Sequence, residues 1–446
     1  MPYRNVQLDG HHDCKALQEL LYSASRGAMR QTRNWYVAAL TTVILLATVF
    51  SLPLQLAAET DSDILLGMSA AFSGPNSGLG IEFYRGAQTW FDHLNRRNGL
   101  NGRRIRIVPC DDGYQPDPAI YNAVRLLNDD NILALFGFTG TPTVSRVLPV
   151  LKLYAARNAL LFFPVTGAQQ LRTPPFEQFI FNLRASYRDE TASLVDRFLL
   201  LGRSRIAVFY QADAYGRSAW DGVREALMRY GLEMVCEATY RRGAAFTERM
   251  DRQVKIIQQS RPDAIIAVGA YAPCAAFIRD ARDAGLDVPI ANLSFAAGEL
   301  LLRLLQEAGQ ANGTDYTKNL VSSQVVPSYE DVTLPGIQEY RALMDDAPST
   351  LPVEFRAPDP ALRYSFASLE GFLSARVMTC ILEKAGPRPS RTSLLHAAQS
   401  LASLDLGIGA IISFSPANHN GLNQVFLTTV ENGRFMPLET WSGQNR

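Results

Sequence analysis

From Ile64 onward the chain alternates short, uninterrupted apolar runs with longer segments of helical period, an order that few folds can accommodate. The runs are ILLGMSA (64–70), IRIV (105–108), ILALFGF (132–138), ALLFFPV (159–165), RIAVFYQ (205–211), AIIAVG (264–269), PIANL (289–293) and LVSSQVV (320–326). Strands buried on both faces read as continuous apolar runs, and parallel neighbours need a helix to cross between them. Between the first two runs Phe83, Ala87, Trp90, Phe91 and Leu94 share one helical face, and Asn98-Gly99 and Asn101-Gly102 then turn the chain into the next strand. The expected class is α/β. Eight such units exceed one simple sheet, so two doubly wound, Rossmann-like lobes are expected. The first break falls near Ala185, where FIFNLRAS (179–186) reads as a strand leaving the first lobe and RDETASLVDRFLLLG (188–202) opens a helix. APSTLPVEFRAPDP (347–360) reads as a surface loop, and QVFLTTVENGRFMPLE (424–439) as a β-hairpin around Asn432-Gly433.

Charge and motifs exclude more than they suggest. Lys plus Arg (43) equals Asp plus Glu (43), so no global basic field addresses nucleic acid. The five Cys (14, 110, 236, 274, 380) and five His (11, 12, 93, 396, 419) show no metal-site spacing. There is no Walker A string and no GxSxG elbow, and GPNSGLG (74–80) lacks the third glycine of a dinucleotide fingerprint. With three histidines beyond the export segment, a His-based relay has little material. No catalytic residue, metal ion or cofactor is expected, and the chain reads as a binder rather than an enzyme.

Residues 36–56 (YVAALTTVILLATVFSLPLQL) carry no charge, follow Arg30 and Arg33, and are broken by Pro53 before Ala57 and Ala58. That is the order of parts in a secretory signal peptide, with cleavage expected after Ala58. Residues 1–28 form a polar extension, and Met29 would start a signal of ordinary length. Residues 1–58 are thus assigned to an extension and signal peptide, with a retained membrane anchor as the alternative, and the remainder is expected to be exported.

Two loops are suited to holding an anion. In FGFTGTPTVSR (136–146) a strand ends, Thr139 and Thr141 follow, and Pro142 stands where a first helical residue belongs, which makes Thr141 the expected N-cap. In PVTGAQQL (164–171) the next strand ends at Thr166 and Gly167. A helix N-terminus with hydroxyls at a strand's carboxyl end can take a carboxylate, although the same features also read as two well-capped turns.

The stretch FSGPNSGLG, followed by RGAQTWFDHLNRRNGLNGRRIRIVPCDDGYQPDPAIYNAVRLLNDDNILALFG, resembles the leucine/isoleucine/valine-binding family of periplasmic solute-binding proteins that feed ABC importers. AVFYQADAYGRSAWDGV (207–223), RPDAIIAVGAYAPCAAFIRDARDAGLDVPI (261–290) and FASLEGFLSARV (366–377) continue the likeness, which covers nearly all of residues 62–440. The resemblance implies a type I periplasmic-binding fold, with two lobes joined by a three-segment hinge and closing over a small solute. Residues 62–184 with 322–411 would form the first lobe, and 185–321 with 412–446 the second. It also implies an ABC permease as membrane partner; a ligand-sensing module for a membrane signalling partner is the alternative role.

Carried over position by position, the resemblance places a carboxylate-holding hydroxyl within Thr139–Thr141, and ligand-gripping backbone and hydroxyl at Val165, Thr166 and Gly167. Tyr215 in DAYGR and Tyr271 in GAYAP match two aromatic positions. An aromatic position near the first glycine loop holds Leu79, and the acid that pairs with a ligand amine aligns near Phe295, with no carboxylate until Glu299. A buried ammonium without a partner is costly. The expected ligand is therefore a small carboxylic acid, aromatic or branched, with branched-chain amino acids as the rival. Tyr114 and Thr139-Gly140 stand where some relatives carry a disulfide.

Overall fold

The apolar runs become strands of two separate sheets. In the computed structural model the described residues are 63–438, apart from 75, 347–350, 353–354 and 356–360. Residues 1–58, expected to form the export segment, most of the Pro-rich loop and the tail from 439 lie outside them. The first sheet holds β1 (Ile64–Ala70), β2 (Ile105–Asp111), β3 (Ile132–Phe136), β4 (Leu161–Phe162) and β5 (Ile180–Phe181), all parallel, in the order β2-β1-β3-β4-β5. Its crossovers are α1 (Ser77–Arg96), α2 (Pro116–Asn128) and α3 (Thr141–Leu153). On α1 the expected stripe is buried at Phe83, Ala87 and Phe91, with Trp90 and Leu94 half-buried at its border.

The second sheet begins after α4 (Tyr187–Leu200). It contains β6 (Ile206–Gln211), β7 (Cys236–Tyr240), β8 (Ala264–Val268), β9 (Ile290–Asn292) and β10 (Leu320–Gln324), alternating with α5 (Ala214–Met228), α6 (Asp251–Gln259), α7 (Tyr271–Asp283) and α8 (Gly298–Asn312). The strand order is β14-β13-β10-β9-β8-β6-β7, in which β13 (Phe426–Glu431) and β14 (Arg434–Pro437) are the antiparallel hairpin expected at Asn432-Gly433. Between β10 and β13 the chain returns to the first sheet's side as α9 (Pro335–Asp346), α10 (Phe366–Ala385) and α11 (Arg391–Gln399), and α10 packs along α1. The short pair β11 (Leu404–Asp405) and β12 (Ile411–Ile412) stands apart. Where the chain crosses between sheets, residues 419–422 run beside 182–183: Asn182 N–H donates to the His419 carbonyl at 2.8 Å and Leu422 N–H to that of Leu183 at 3.0 Å.

Burial follows the pleat. Ile206 and Val208 of β6 join the core that continues from the first sheet, while Ala207 and Phe209 face a second core with Phe277 and Ile265.

Three local expectations need correction. The run 159–165 is a strand only over Leu161–Phe162, because Phe163 takes a left-handed conformation (φ 53°) to place its ring against Phe136 and Phe162. The run 132–138 likewise ends at Phe136, where Gly137 has φ 64°. Thr141 is not the N-cap of α3: Gly140 (φ 107°) is, and Pro142 lies one place further inside. The Tyr114 ring lies so close over Gly140 that a side chain there would overlap it, and the positive φ is open to glycine without strain.

Candidate functional site

Both sheets reverse their strand order at one point, between β1 and β3 in the first and between β6 and β8 in the second. The crevice outside the strand carboxyl ends at such a point is where open α/β sheets bind ligands. Thr139 and Thr141 follow β3, Thr166 and Gly167 follow β4, Tyr215 opens α5 after β6, Tyr271 opens α7 after β8, and Phe295 follows β9. Every sequence-derived candidate therefore lies at a strand's carboxyl end.

The structure joins some of these side chains and separates others. The Thr141 and Thr166 hydroxyls share a hydrogen bond at 2.7 Å, and the Thr141 hydroxyl also meets the Tyr187 hydroxyl at 3.1 Å. All three residues are fully buried. Thr139 turns away, donating to the Gly137 carbonyl at 3.1 Å. Gly167 contributes backbone: its carbonyl accepts the Tyr187 N–H at 2.8 Å, and a Cβ on it would press into the Tyr187 main chain and ring. The Tyr215 ring lies 5.0 Å from that of Tyr187 and 4.6 Å from that of Phe295, with Tyr114 6.1 Å beyond Phe295. Tyr271 is half-buried, its ring facing Gly78 at the start of α1.

The helix starts differ in what they can still accept. At α5 the Asp213 carboxylate already takes the N–H groups of Tyr215 (2.9 Å) and Gly216 (3.4 Å). At α3 the cap is Gly140, with no side chain closing the first turn. Of these two helix starts, only that of α3 lacks a side-chain cap.

Behind the hydroxyls lies an ionic cluster that sequence reasoning missed. Arg184, in the first crossing segment, is 2 % exposed; its guanidinium donates to the Ser294 hydroxyl and lies 3.6 Å from Glu370 on α10 and 3.9 Å from Glu190 on α4. Glu190 accepts the Ser294 N–H (2.9 Å), the Ser294 hydroxyl (3.0 Å) and the Ser323 hydroxyl (2.7 Å). Burial pushes both carboxyls above their ordinary range, and Arg184 pulls them back. Arg184 Nη1 and the Tyr215 hydroxyl are buried without a hydrogen-bond partner among the described residues. The available signal was Arg184 itself, a charge inside the apolar strand exit FIFNLRAS.

Loops and helix starts belonging to the two sheets also meet directly. Gln211 Nε2 donates to the Tyr114 hydroxyl at 3.2 Å, Arg242 to Gln115 Oε1 at 3.3 Å, and the Phe366 N–H, at the start of α10, to Glu299 Oε1 on α8 at 2.9 Å. Burial raises the Glu299 carboxyl to about 7, the Phe366 N–H opposing and nearby Glu82 adding to the shift. The folded chain thus holds this proton more tightly than an exposed glutamate, whose ordinary value is 4.5. Its contribution favours the packed state most below that value and is lost as pH rises towards 7. Urea unfolding between pH 4.5 and 7 should therefore show Glu299→Gln gaining stability relative to the wild-type chain as pH rises; parallel curves would place Glu299 in water.

No helix among the described residues is long and apolar enough to cross a membrane. Among them no group of three or more His, Cys, Asp or Glu could hold a metal ion, and Cys110, Cys236, Cys274 and Cys380 are free.

The sequence profile of a family described as periplasmic binding protein matches residues 63–434, in accord with the resemblance read from the motifs. The crystal structure of a possible leucine/isoleucine/valine-binding protein from Rhodopirellula baltica is similar, with 30% identity and a TM-score of 0.75, covering 86% of this chain and 98% of that one. An amino acid binding protein of Pseudomonas aeruginosa is 24% identical over 245 residues, 54% of this chain and 63% of that protein's length. A branched-chain amino acid ABC transporter protein from Thermus thermophilus, solved with bound valine, shares the fold at 18% identity and a TM-score of 0.72, covering 84% of this chain and 95% of that one. The matched relatives are binding proteins, not enzymes.

Proposed function

Because this chain belongs to the periplasmic binding protein family, we propose that it is the extracytoplasmic receptor of an ABC importer, which captures a small carboxylate-bearing solute between two lobes and hands it to a membrane permease. The observation that carries the ligand class is the Thr141–Thr166 hydroxyl pair, 2.7 Å apart beside the open start of α3, at the crevice where the first sheet reverses its order. A carboxylate can be held there by N–H and hydroxyl donors without a formal positive charge. Tyr215 and Phe295 offer flat apolar walls, which suit an aromatic or branched body. Tyr271, at the half-buried border, would touch the ligand at the cleft mouth.

The lobes of this reading are residues 62–184 with 322–411 and residues 185–321 with 412–446, and the paired crossings at 182–183 and 419–422 are part of the hinge. Residues 1–58 carry the chain out of the cytoplasm. Closure over the solute makes the molecule smaller.

Thermal unfolding against a set of branched and aromatic carboxylates tests the ligand class. A bound solute at about 100 times its dissociation constant is expected to add about 2.7 kcal/mol of stability, and small-angle scattering should then give a smaller radius of gyration. Equal stabilisation by the acids and by their methyl esters would contradict the carboxylate reading.

A further inference from the structure

Where the resemblance seeks an acid after β9 stands Phe295, whose ring packs, tilted, between those of Tyr215 and Tyr114. Another carboxylate comes forward from a different element. Glu370, in the second turn of α10, is 6 % exposed, yet among the described residues it meets no hydrogen-bond donor; its partner is the Arg184 guanidinium, with Nε at 3.6 Å. Glu190, by contrast, has three donors of its own besides Arg184. Among the described residues Arg184 is the cation acting on Glu370, and it is shared with Glu190. A buried carboxylate with half a cation and no donor is a costly arrangement, and such a group calls for a partner. The Tyr215 hydroxyl, fully buried and also without a partner, is within electrostatic reach of both Arg184 and Glu190, which ties this cluster to the aromatic wall of the proposed cleft.

We propose that Glu370 is the acceptor for a cationic nitrogen of the ligand, so that the site selects an amine-bearing carboxylate over its amine-free counterpart. This rests on the reading of the Thr141–Thr166 pair as the carboxylate's place. The ammonium would donate to the Glu370 oxygens and restore the charge that Arg184, divided between two glutamates, leaves unbalanced.

Matched sets separate the two readings: leucine, 4-methylpentanoate and 3-methylbutylamine, and phenylalanine, 3-phenylpropanoate and phenethylamine, each titrated calorimetrically into the wild-type chain, E370Q and T141A. In the wild type, a set's amino acid is expected to bind at least about tenfold more tightly than its amine-free acid, the scale of a hydrogen bond to a charged group. E370Q should bring the two within about threefold, and T141A should weaken both acids alike. A wild-type chain that binds the amine-free acid as well as the amino acid overturns the proposal and leaves the carboxylate reading intact. So does E370Q that keeps the preference or binds the amine-free acid more tightly, since Gln mimics a protonated carboxyl that donates to the ligand. Binding of the bare amine, lost in E370Q, would uphold Glu370 while overturning the carboxylate reading. Absence of binding by every amine-bearing compound also overturns the proposal, and the wild-type comparison needs no variant to fold.

Discussion

Replacing Arg184 with methionine is expected to cost the folded chain about 3–5 kcal/mol, the range seen when one partner is removed from a buried ionic cluster. The guanidinium sits between Glu190 and Glu370, carboxylates of helices that pack against different sheets, and its side chain is 1 % exposed. Without it Glu190 keeps its serine donors, but Glu370 is left buried with neither cation nor donor. A second change, Glu370→Leu, should recover part of the loss, because it removes the orphaned charge rather than a further interaction. Urea unfolding of both variants measures this. A loss below about 1 kcal/mol for Arg184→Met would mean that water reaches the cluster and that the charges are screened as on a surface.

The second large effect is expected at the seam between α1 and α10. The two helices touch main chain to main chain: a Cβ on Gly371 would overlap the Phe83 carbonyl oxygen, and one on Gly86 the Ser368 carbonyl oxygen. Neither obstacle is a side-chain tip that could swing away. Gly371→Val should therefore force the helices apart and cost about 3 kcal/mol, at the upper end of overpacking, against a gain of under about 1 kcal/mol in helix propensity. Because α1 starts next to the cleft and α10 carries Glu370, the same change should weaken ligand binding as well. An unchanged unfolding midpoint would show that the seam is looser than the geometry requires.

How much of this was legible in the sequence differs from element to element. Strands β1 and β8 were plain because they are buried almost throughout and read as continuous apolar runs. Strand β7 (CEATY) escaped, since it borders its sheet and alternates exposed with buried positions, a weaker pattern than its neighbours'. The shortening of β4 and the shift of the α3 cap both depend on a ring from elsewhere, Phe136 in one case and Tyr114 in the other, and no local window contains that information. The same holds for the site. Thr141 and Thr166 could be found from their loops, because each follows an apolar run directly. Tyr187, Glu190 and Glu370 could not: Glu190 meets Ser294 and Ser323 more than 100 positions away, and Arg184 meets Glu370 from a crossing segment. Phe295 and the missing acid beside it were read from one loop, whereas the buried charges of Glu190, Glu370 and Arg184 come from α4, α10 and a crossing segment far apart in the chain.

The most direct test of the central claim is a crystal structure of the complex with whichever of leucine and 4-methylpentanoate stabilises the chain more. The ligand's carboxylate oxygens are expected within hydrogen-bond distance of the Thr141 and Thr166 hydroxyls and of the Thr141 and Thr143 N–H groups, with the apolar body against Tyr215 and Phe295. A ligand bound elsewhere, with the Thr141–Thr166 hydrogen bond undisturbed, would contradict it.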